Sequence, residues 1–197
     1  AGDHTPSFAM ANHPSKTSGQ LECVIKVYPD GVFSHFLDTV LSVGDRLEVI
    51  GPFGVFTLRD GRDSDIVFVG GGAGMAPILC LLRAMAERGS TRRATYYYGA
   101  RRSTDLCFEK DLHELEQRLP NFRYVPALSE PDEDEAWDGE FGLITDVVKR
   151  HETDLADVDS YVCGPPGMVE AAMQVLSSLG ASGKHIYYDK FTTTGSP

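Results

Sequence analysis

A run of glycines at residues 70–77 offers the clearest ligand chemistry in the chain, because it joins an apolar segment to a helix-like one. Glycine lets the backbone approach a ligand closely, and amide groups at a helix start attract negative charge. The run therefore predicts a pyrophosphate-binding turn, with a tight structural turn as the alternative. The strict G-x-G-x-x-G pattern is not met, since Met75 or Pro77 takes the place of its last glycine.

Cys163 is the second candidate, at the end of another apolar segment and directly before Gly164, Pro165 and Pro166. A lone cysteine at a strand end is more often a small core residue than a reactive one. Ligands of open α/β sheets, however, bind outside the carboxyl ends of the strands. We therefore expect Cys163 and the glycine run to face the same crevice.

Strand-like and helix-like segments alternate after residue 60, which is typical of a parallel, doubly wound α/β sheet. Apolar runs and helical periodicity locate the elements. The five predicted strands are residues 65–69, 95–98, 122–128, 160–163 and 184–188. The predicted helices are residues 75–88, 106–119, 143–151 and 168–179. The polar residues 61–64 are the expected linker to the preceding half.

The first 60 residues have a β-rich pattern. Residues 21–28 and 46–50 alternate apolar with polar side chains, which predicts strands with one buried face. Ser34 is the expected N-cap of a short helix that ends at Leu41, because a hydroxyl can accept from the unpaired amides of a first turn.

The composition excludes several classes of function. A formal net charge of −11 argues against nucleic acid as a partner. The acidic run at residues 130–140 favours a solvated loop over a docking patch for a basic partner. The longest apolar run is far shorter than the roughly 20 residues of a membrane span, and no signal-peptide pattern opens the sequence. Four cysteines without a Cys-x-x-Cys pair argue against zinc and plant-type iron–sulfur sites and favour the reducing cytoplasm.

The order and spacing of three motifs resemble the ferredoxin–NADP reductase-like family: the glycine run, the sequence Tyr98-Gly99-Ala100-Arg101, and Cys163 with its Gly-Pro-Pro turn. The tail at residues 187–191 is most similar to reductase components of bacterial multicomponent oxygenases, both di-iron monooxygenases and ring-hydroxylating dioxygenases. The resemblance implies a partial antiparallel β-barrel that binds FAD at residues 1–60 and an NAD(P)-binding domain at residues 61–197. It also implies that further N-terminal strands complete the barrel outside this sequence.

The implied activity is hydride transfer from NADH to FAD, followed by electron transfer to an iron–sulfur centre, a ferredoxin or an oxygenase partner. A [2Fe–2S] domain is expected on the missing N-terminal part or on a separate chain. NADH is expected over NADPH, because the similar oxygenase reductases mostly use NADH. Four arginines could still reach a 2′-phosphate: Arg92, Arg93, Arg101 and Arg102.

The resemblance also implies roles for individual residues. Cys163 would lie beside the nicotinamide C4 as a catalytic residue, and Phe191 would cover the isoalloxazine until nicotinamide displaces it. The implied dinucleotide-binding residues are Gly72, Ala73, Gly74, Met75, Tyr98, Gly99, Arg101, Gly164, Pro165 and Pro166. The implied flavin-binding residues are Phe8, Ala9, Met10, Gly31, Val32, Phe33 and Ser34.

The flavin motif of the family, Arg-x-Tyr/Phe-Ser/Thr, is altered in this chain. Pro6 takes the place of the arginine and Ala9 that of the hydroxyl residue. Losing one charge-assisted contact of this kind costs about 1.5–3 kcal/mol. The alternative function is therefore a nucleotide-binding or oxygenase-docking module that has lost flavin.

Overall fold

The computed structural model of the protein describes residues 6–13, 19–132 and 136–192. In these residues, strands and helices alternate after one isolated helix. The helices are α1 (Val32–Thr39), α2 (Met75–Glu87), α3 (Glu109–Arg118), α4 (Ile144–His151) and α5 (Pro166–Ser178). The strands are β1 (Asp65–Gly71), β2 (Ala94–Ala100), β3 (Phe122–Leu128), β4 (Glu140–Phe141), β5 (Val158–Gly164) and β6 (Ile186–Lys190).

The strands form one parallel sheet in the order β4-β3-β2-β1-β5-β6. This confirms the predicted parallel, doubly wound fold and adds one strand to the five that were expected. The added strand is β4, whose two residues pair with the end of β3 and are too few to show a strand pattern in the sequence. The strand order reverses between β1 and β5, and ligands of such sheets bind at this switch point.

Helices cover both faces of the sheet, because neighbouring side chains of a strand point to opposite faces. On one face, Phe68 of β1 belongs to the core that α2 and α3 cover. On the other face, Val69 packs in the core with Val147 of α4 and Val169 of α5. Strands buried on both sides are nearly continuous apolar runs, which is why the sequence located them.

The alternating segments of the first half do not form strands in this structure. Residues 21–28 and 46–50 lie outside any ladder, and one antiparallel bridge joins Met10 to Cys23. The Ala11 amide donates to the Glu22 carbonyl oxygen beside that bridge, at 2.7 Å. An alternating segment becomes a strand only when a second strand pairs with it. Among the described residues, the first segment has only the bridge at Cys23 and the second has no pairing. Both strand predictions are therefore wrong.

The prediction that Ser34 caps the short helix is also wrong. Helix α1 has Gly31 as its N-cap, and Ser34 lies inside the first turn. The buried Ser34 hydroxyl accepts a hydrogen bond from the Tyr28 amide at 2.9 Å, so it holds the loop that precedes the helix. A Cβ on Gly31 would lie 2.7 Å from the Ser34 Oγ, so glycine at this position leaves room for the Ser34 side chain.

Candidate functional site

The glycine run forms the turn from β1 into α2. Residues Gly72–Gly74 make one 3-10 turn, and Met75 is the first residue of α2. Gly72 has a φ of 55°, a left-handed conformation that favours glycine. A Cβ on Gly72 would have no protein atom within 4 Å, so the outer side of this turn is open. The turn can therefore present backbone amides to a ligand.

The glycine turn and the turn after Cys163 lie against each other, as the sequence predicted. A Cβ on Gly74 would be 2.3 Å from the Cys163 carbonyl oxygen. A Cβ on Gly164, whose φ is 147°, would be 2.8 Å from the Gly71 carbonyl oxygen. Only glycine fits at these two positions, because backbone atoms of the other turn lie within 3 Å of each added Cβ. The two turns thus form one continuous backbone surface at the β1–β5 switch point.

Cys163 lies near the end of β5, between Gly70 of β1 and Asp189 of β6. Its side chain is fully buried. Burial, and then the negative charge of Asp189, raise the pKa of the thiol well above its usual range. The thiol is therefore neutral near pH 7 and can donate a weak hydrogen bond, but it is not a nucleophile.

Asp189 is a residue of this edge that sequence reasoning did not select. It is half-buried, and this burial raises the pKa of its carboxyl group. Within the described part of the chain, its carboxylate has no hydrogen-bond or ion-pair partner. The strand register alone places Asp189 beside Cys163, and the register of β6 against β5 has no signal in the local sequence.

Tyr98 contacts the glycine turn through its side-chain hydroxyl. Its ring is fully buried, and its hydroxyl lies 3.3 Å from the Gly72 carbonyl oxygen and 3.5 Å from that of Asp105. The same hydroxyl accepts from the Cys107 amide at 3.4 Å. Tyr98 thus joins the turn to residues 103–107, and its place along the adenosine half stays a prediction.

The predicted arginines lie at opposite edges of the sheet. Arg101 follows β2 at the carboxyl edge, where its side chain is exposed and has no hydrogen-bond or ion-pair partner among the described residues. The side chain of Arg102, next to it, lies 3.6 Å from a carboxylate oxygen of Asp132. Nearby, Gly99 leaves room for α4, because a Cβ there would be 2.8 Å from the Cβ of Ile144.

Arg92 and Arg93 precede β2 and lie at the amino edge. Arg92 Nη2 is 2.8 Å from the buried Asp159 carboxylate, and Arg93 Nε is 2.9 Å from that of Asp65. Asp65 is the first residue of β1 and Asp159 the second residue of β5. The expectation that Arg92 and Arg93 could reach a 2′-phosphate at the ligand edge is therefore wrong.

The Gly-Pro-Pro turn and the C-terminal aromatic residue also meet at the carboxyl edge. Pro165 is the N-cap of α5 and Pro166 its first residue, a position where the missing amide proton costs nothing. The Phe191 amide donates to the Gly164 carbonyl oxygen at 2.9 Å. The half-buried Phe191 ring packs against the core on the α2 side of the sheet. Phe191 is thus attached to the turn that follows Cys163.

The predicted flavin residues come together in the first half. The Phe8 and Phe33 rings are 4.9 Å apart between centroids and tilted by 37°. No side chain caps the amides that begin α1 after Gly31. These residues therefore offer an aromatic surface and a helix start, which attracts negative charge. Pro6 and Ala9 beside them offer neither a positive charge nor a hydroxyl.

The acidic loop is partly neutralised by neighbouring basic groups. Hydrogen bonds from Arg150 and His151 hold the pKa of the Glu140 carboxyl below its usual range. Residues 133–135 of the predicted acidic run lie outside the described residues. The part of the chain that is described contains no cluster of metal-ligating side chains. In the same residues, no helix is long and apolar enough to cross a membrane.

Comparison with known proteins finds two domain families in this chain. The profile of the oxidoreductase NAD-binding domain matches residues 68–174, and that of the oxidoreductase FAD-binding domain matches residues 3–58. The reductase component of propane 2-monooxygenase from Rhodococcus jostii (strain RHA1) is 46% identical over 190 residues, which cover 95% of this chain and 51% of that protein. The reductase component of phenol 2-monooxygenase from Pseudomonas sp. (strain CF600) is 35% identical, over 97% of this chain and 54% of that protein.

A solved structure has the same fold. The Amycolatopsis cytochrome P450 reductase GcoB superposes with a TM-score of 0.86 at 30% sequence identity. The match covers 94% of this chain and 56% of that one. The chain thus spans about half the length of the curated relatives and of this solved structure.

Proposed function

Because the chain belongs to the family of the oxidoreductase NAD-binding domain, we propose that it is the flavin- and nicotinamide-binding part of an oxygenase reductase. In this proposal, residues 1–60 hold FAD and residues 61–197 hold NADH. When bound, the nicotinamide supplies a hydride that the flavin accepts and passes on as single electrons. The observation that carries the proposal is the joined pair of turns at Gly74 and Cys163, at the switch point of the sheet.

The residues of the carboxyl edge fit a nicotinamide dinucleotide. The amides from Gly72 to Met75 start α2 and suit a pyrophosphate, because the helix dipole adds to their positive charge. Cys163 contributes an uncharged thiol, and Asp189 an unpaired carboxylate that would favour a positively charged nicotinamide ring. Phe191, attached to Gly164, would exclude water from the same edge.

The flavin residues fit FAD only in part. The Phe8–Phe33 pair suits a planar ring, and the uncapped start of α1 suits a pyrophosphate. Pro6 and Ala9 remove two polar contacts, which favours a second candidate function. In this second function the chain binds nucleotide, or docks on an oxygenase, without flavin.

A visible spectrum of the purified protein before and after anaerobic addition of NADH tests the proposal. We expect flavin absorption that bleaches on addition, together with NADH–ferricyanide turnover. A colourless protein that does not acquire flavin from a stoichiometric supply, yet binds NADH, would support the second function instead. A protein that binds neither nucleotide would contradict both.

The preference for NADH over NADPH is part of the proposal. At the carboxyl edge, Arg102 already lies near Asp132, and Arg101 is the one described arginine there without a partner. A single exposed arginine gives less discrimination than a set of phosphate contacts. We expect a higher kcat/KM with NADH, and a higher value with NADPH would contradict this assignment.

We place the protein in the cytoplasm, with an oxygenase or a ferredoxin as electron acceptor. The relatives are named as reductase components of oxygenases, which supports this class of partner. All four cysteines are free thiols, as expected in a reducing compartment. The [2Fe–2S] group that would receive the electrons is proposed to lie elsewhere in the protein or on a separate chain.

A further inference from the structure

Residues Ala11 and Asn12 connect the two halves of the chain. They follow directly after the predicted flavin residues Phe8–Met10, and both are buried, with 0% and 5% of their surface exposed. The Asn12 side chain accepts from the Glu22 amide at 2.8 Å and donates to the Gln20 carbonyl oxygen at 3.0 Å. These bonds give residues 10–12 a fixed shape, which a second set of contacts then attaches to α2.

The attachment to α2 is made by Arg83 and Cys80. Arg83 Nη1 donates to the Ala11 carbonyl oxygen at 2.9 Å and to a Glu22 carboxylate oxygen at 2.5 Å. Arg83 Nη2 donates to a carboxylate oxygen of Asp111 in α3 at 2.7 Å. The Cys80 thiol lies 3.2 Å from the Asn12 carbonyl oxygen. The Arg83 side chain is 22% exposed and its two carboxylate partners are each 41% exposed, so these contacts are partly shielded from water.

The planar guanidinium group suits these three acceptors, which come from different parts of the chain. It has several donors in a fixed fork, whereas a lysine has one flexible ammonium group. A lysine at position 83 would keep the charge but could not hold Ala11, Glu22 and Asp111 in the same arrangement. An arginine in this environment therefore fixes the position of a backbone segment as well as balancing charge.

Helix α2 also carries the glycine turn at its first residue. About 12 Å of helix separates Met75 from Arg83, at 1.5 Å per residue. The beginning of the helix is fixed, because Gly74 lies against the backbone of Cys163 and Gly164. One rigid element thus contacts the dinucleotide edge at its start and the segment after the flavin residues at Arg83.

We propose that Arg83 is a positioning residue that holds residues 6–13 at a set distance from the dinucleotide-binding turn. The proposal rests on the proposed function for its effect on electron transfer. Its structural part concerns residues of this chain alone. The two parts are tested by separate measurements on the same variants.

The variants are Arg83→Met, Arg83→Lys and the control Arg88→Met. Arg88 lies at the C-cap of α2 and forms an ion pair with Asp60, another residue of the first half. Both partners of that pair are largely exposed, so its loss should change little. Glu22→Gln is a milder variant in case Arg83→Met does not fold.

The first measurement is hydrogen–deuterium exchange in the protein without added nucleotide. We expect the Ala11 amide in Arg83→Met to exchange about tenfold faster or more, because its segment loses its attachment. Glu22→Gln should show a smaller acceleration, and Arg88→Met none. Unchanged exchange of residues 6–13 in Arg83→Met would overturn the proposal, whether or not the protein holds flavin.

The second measurement is stopped-flow reduction of the flavin by NADH. In Arg83→Met the limiting rate at saturating NADH should fall by about 100-fold, since displacements near 1 Å cost this much. The NADH dissociation constant should stay the same, and Arg83→Lys should recover part of the rate. Equal losses of rate in Arg88→Met, or a loss of NADH affinity alone, would overturn the positioning role. A wild-type protein that NADH does not reduce would refute the proposed function, and the exchange data would still decide the structural part.

Discussion

Replacing Gly74 by alanine tests whether the two turns of the site must touch. The added Cβ would lie 2.3 Å from the Cys163 carbonyl oxygen and 2.6 Å from the Gly164 Cα. Both are backbone atoms of β5, which is held between β1 and β6. No side-chain rotation can remove the overlap, so the whole glycine turn has to move away from β5.

The structure gives the size of the expected effect. Overfilling a well-packed site costs about 1–3 kcal/mol, and a clash with backbone belongs at the upper end of that range. For a protein of this size, about 3 kcal/mol corresponds to a fall in Tm of roughly 6–12 °C. A displaced turn would also lose at least one hydrogen bond to a bound phosphate, which weakens NADH binding by about tenfold or more.

Gly167→Ala is the matched control for Gly74→Ala. Gly167 lies in the first turn of α5, at the same edge of the sheet, and its φ is not positive. A Cβ there would have no atom within 4 Å, so this variant should fold and bind normally. Tm by calorimetry and NADH affinity by fluorescence titration are measured for both variants. If Gly74→Ala melts and binds NADH like Gly167→Ala, the contact between the turns does not support the site.

Three further predictions concern other parts of the molecule. Cys163→Ala should slow flavin reduction at saturating NADH by about tenfold or more while changing NADH affinity little, and unchanged stopped-flow rates would refute the role of the thiol. Asp159→Asn should lower the free energy of unfolding by about 3 kcal/mol in a urea titration, because a buried carboxylate no longer neutralises Arg92. The lowered pKa of Glu140 means that its pairing with Arg150 stabilises the fold above the unfolded pKa. That stability is lost as the pH falls through the lower folded value. Glu140→Gln should remove this loss of stability on acidification, as measured by unfolding at a series of pH values.

The parallel sheet was largely predictable from the sequence because each strand carries its own signal. A strand such as β1 is buried on both faces and ends in glycine, so it forms an apolar run with a clear boundary. The two residues of β4 have no such pattern and were missed. Strands were wrongly predicted at residues 21–28 and 46–50, because alternation shows which face could be buried but not whether a partner strand is there.

The site was predictable where topology decides it and unpredictable where register or tertiary contact decides it. The meeting of Gly74 with Cys163 follows from the rule that ligand-binding turns of a parallel sheet share one edge. The place of Asp189 depends on how β6 aligns with β5, which the local sequence does not specify. The hydrogen bonds of Arg83 join residues that are far apart in the chain, and no spacing pattern in the sequence predicts them.

The position of each candidate arginine before or after its strand decides whether it can reach a ligand at the carboxyl edge of the sheet. Residues before a strand lie at its amino end and residues after it at its carboxyl end, and the seven residues of β2 span roughly 23 Å. Arg92 and Arg101 flank this strand, so they cannot both reach one ligand at the carboxyl edge. The ion pair of Arg92 with Asp159 puts Arg92 at the amino edge, where it stabilises the start of β5. Of the four candidates, Arg101 and its neighbour are therefore the two that remain for a 2′-phosphate. The sequence could have excluded Arg92, because it precedes the predicted strand.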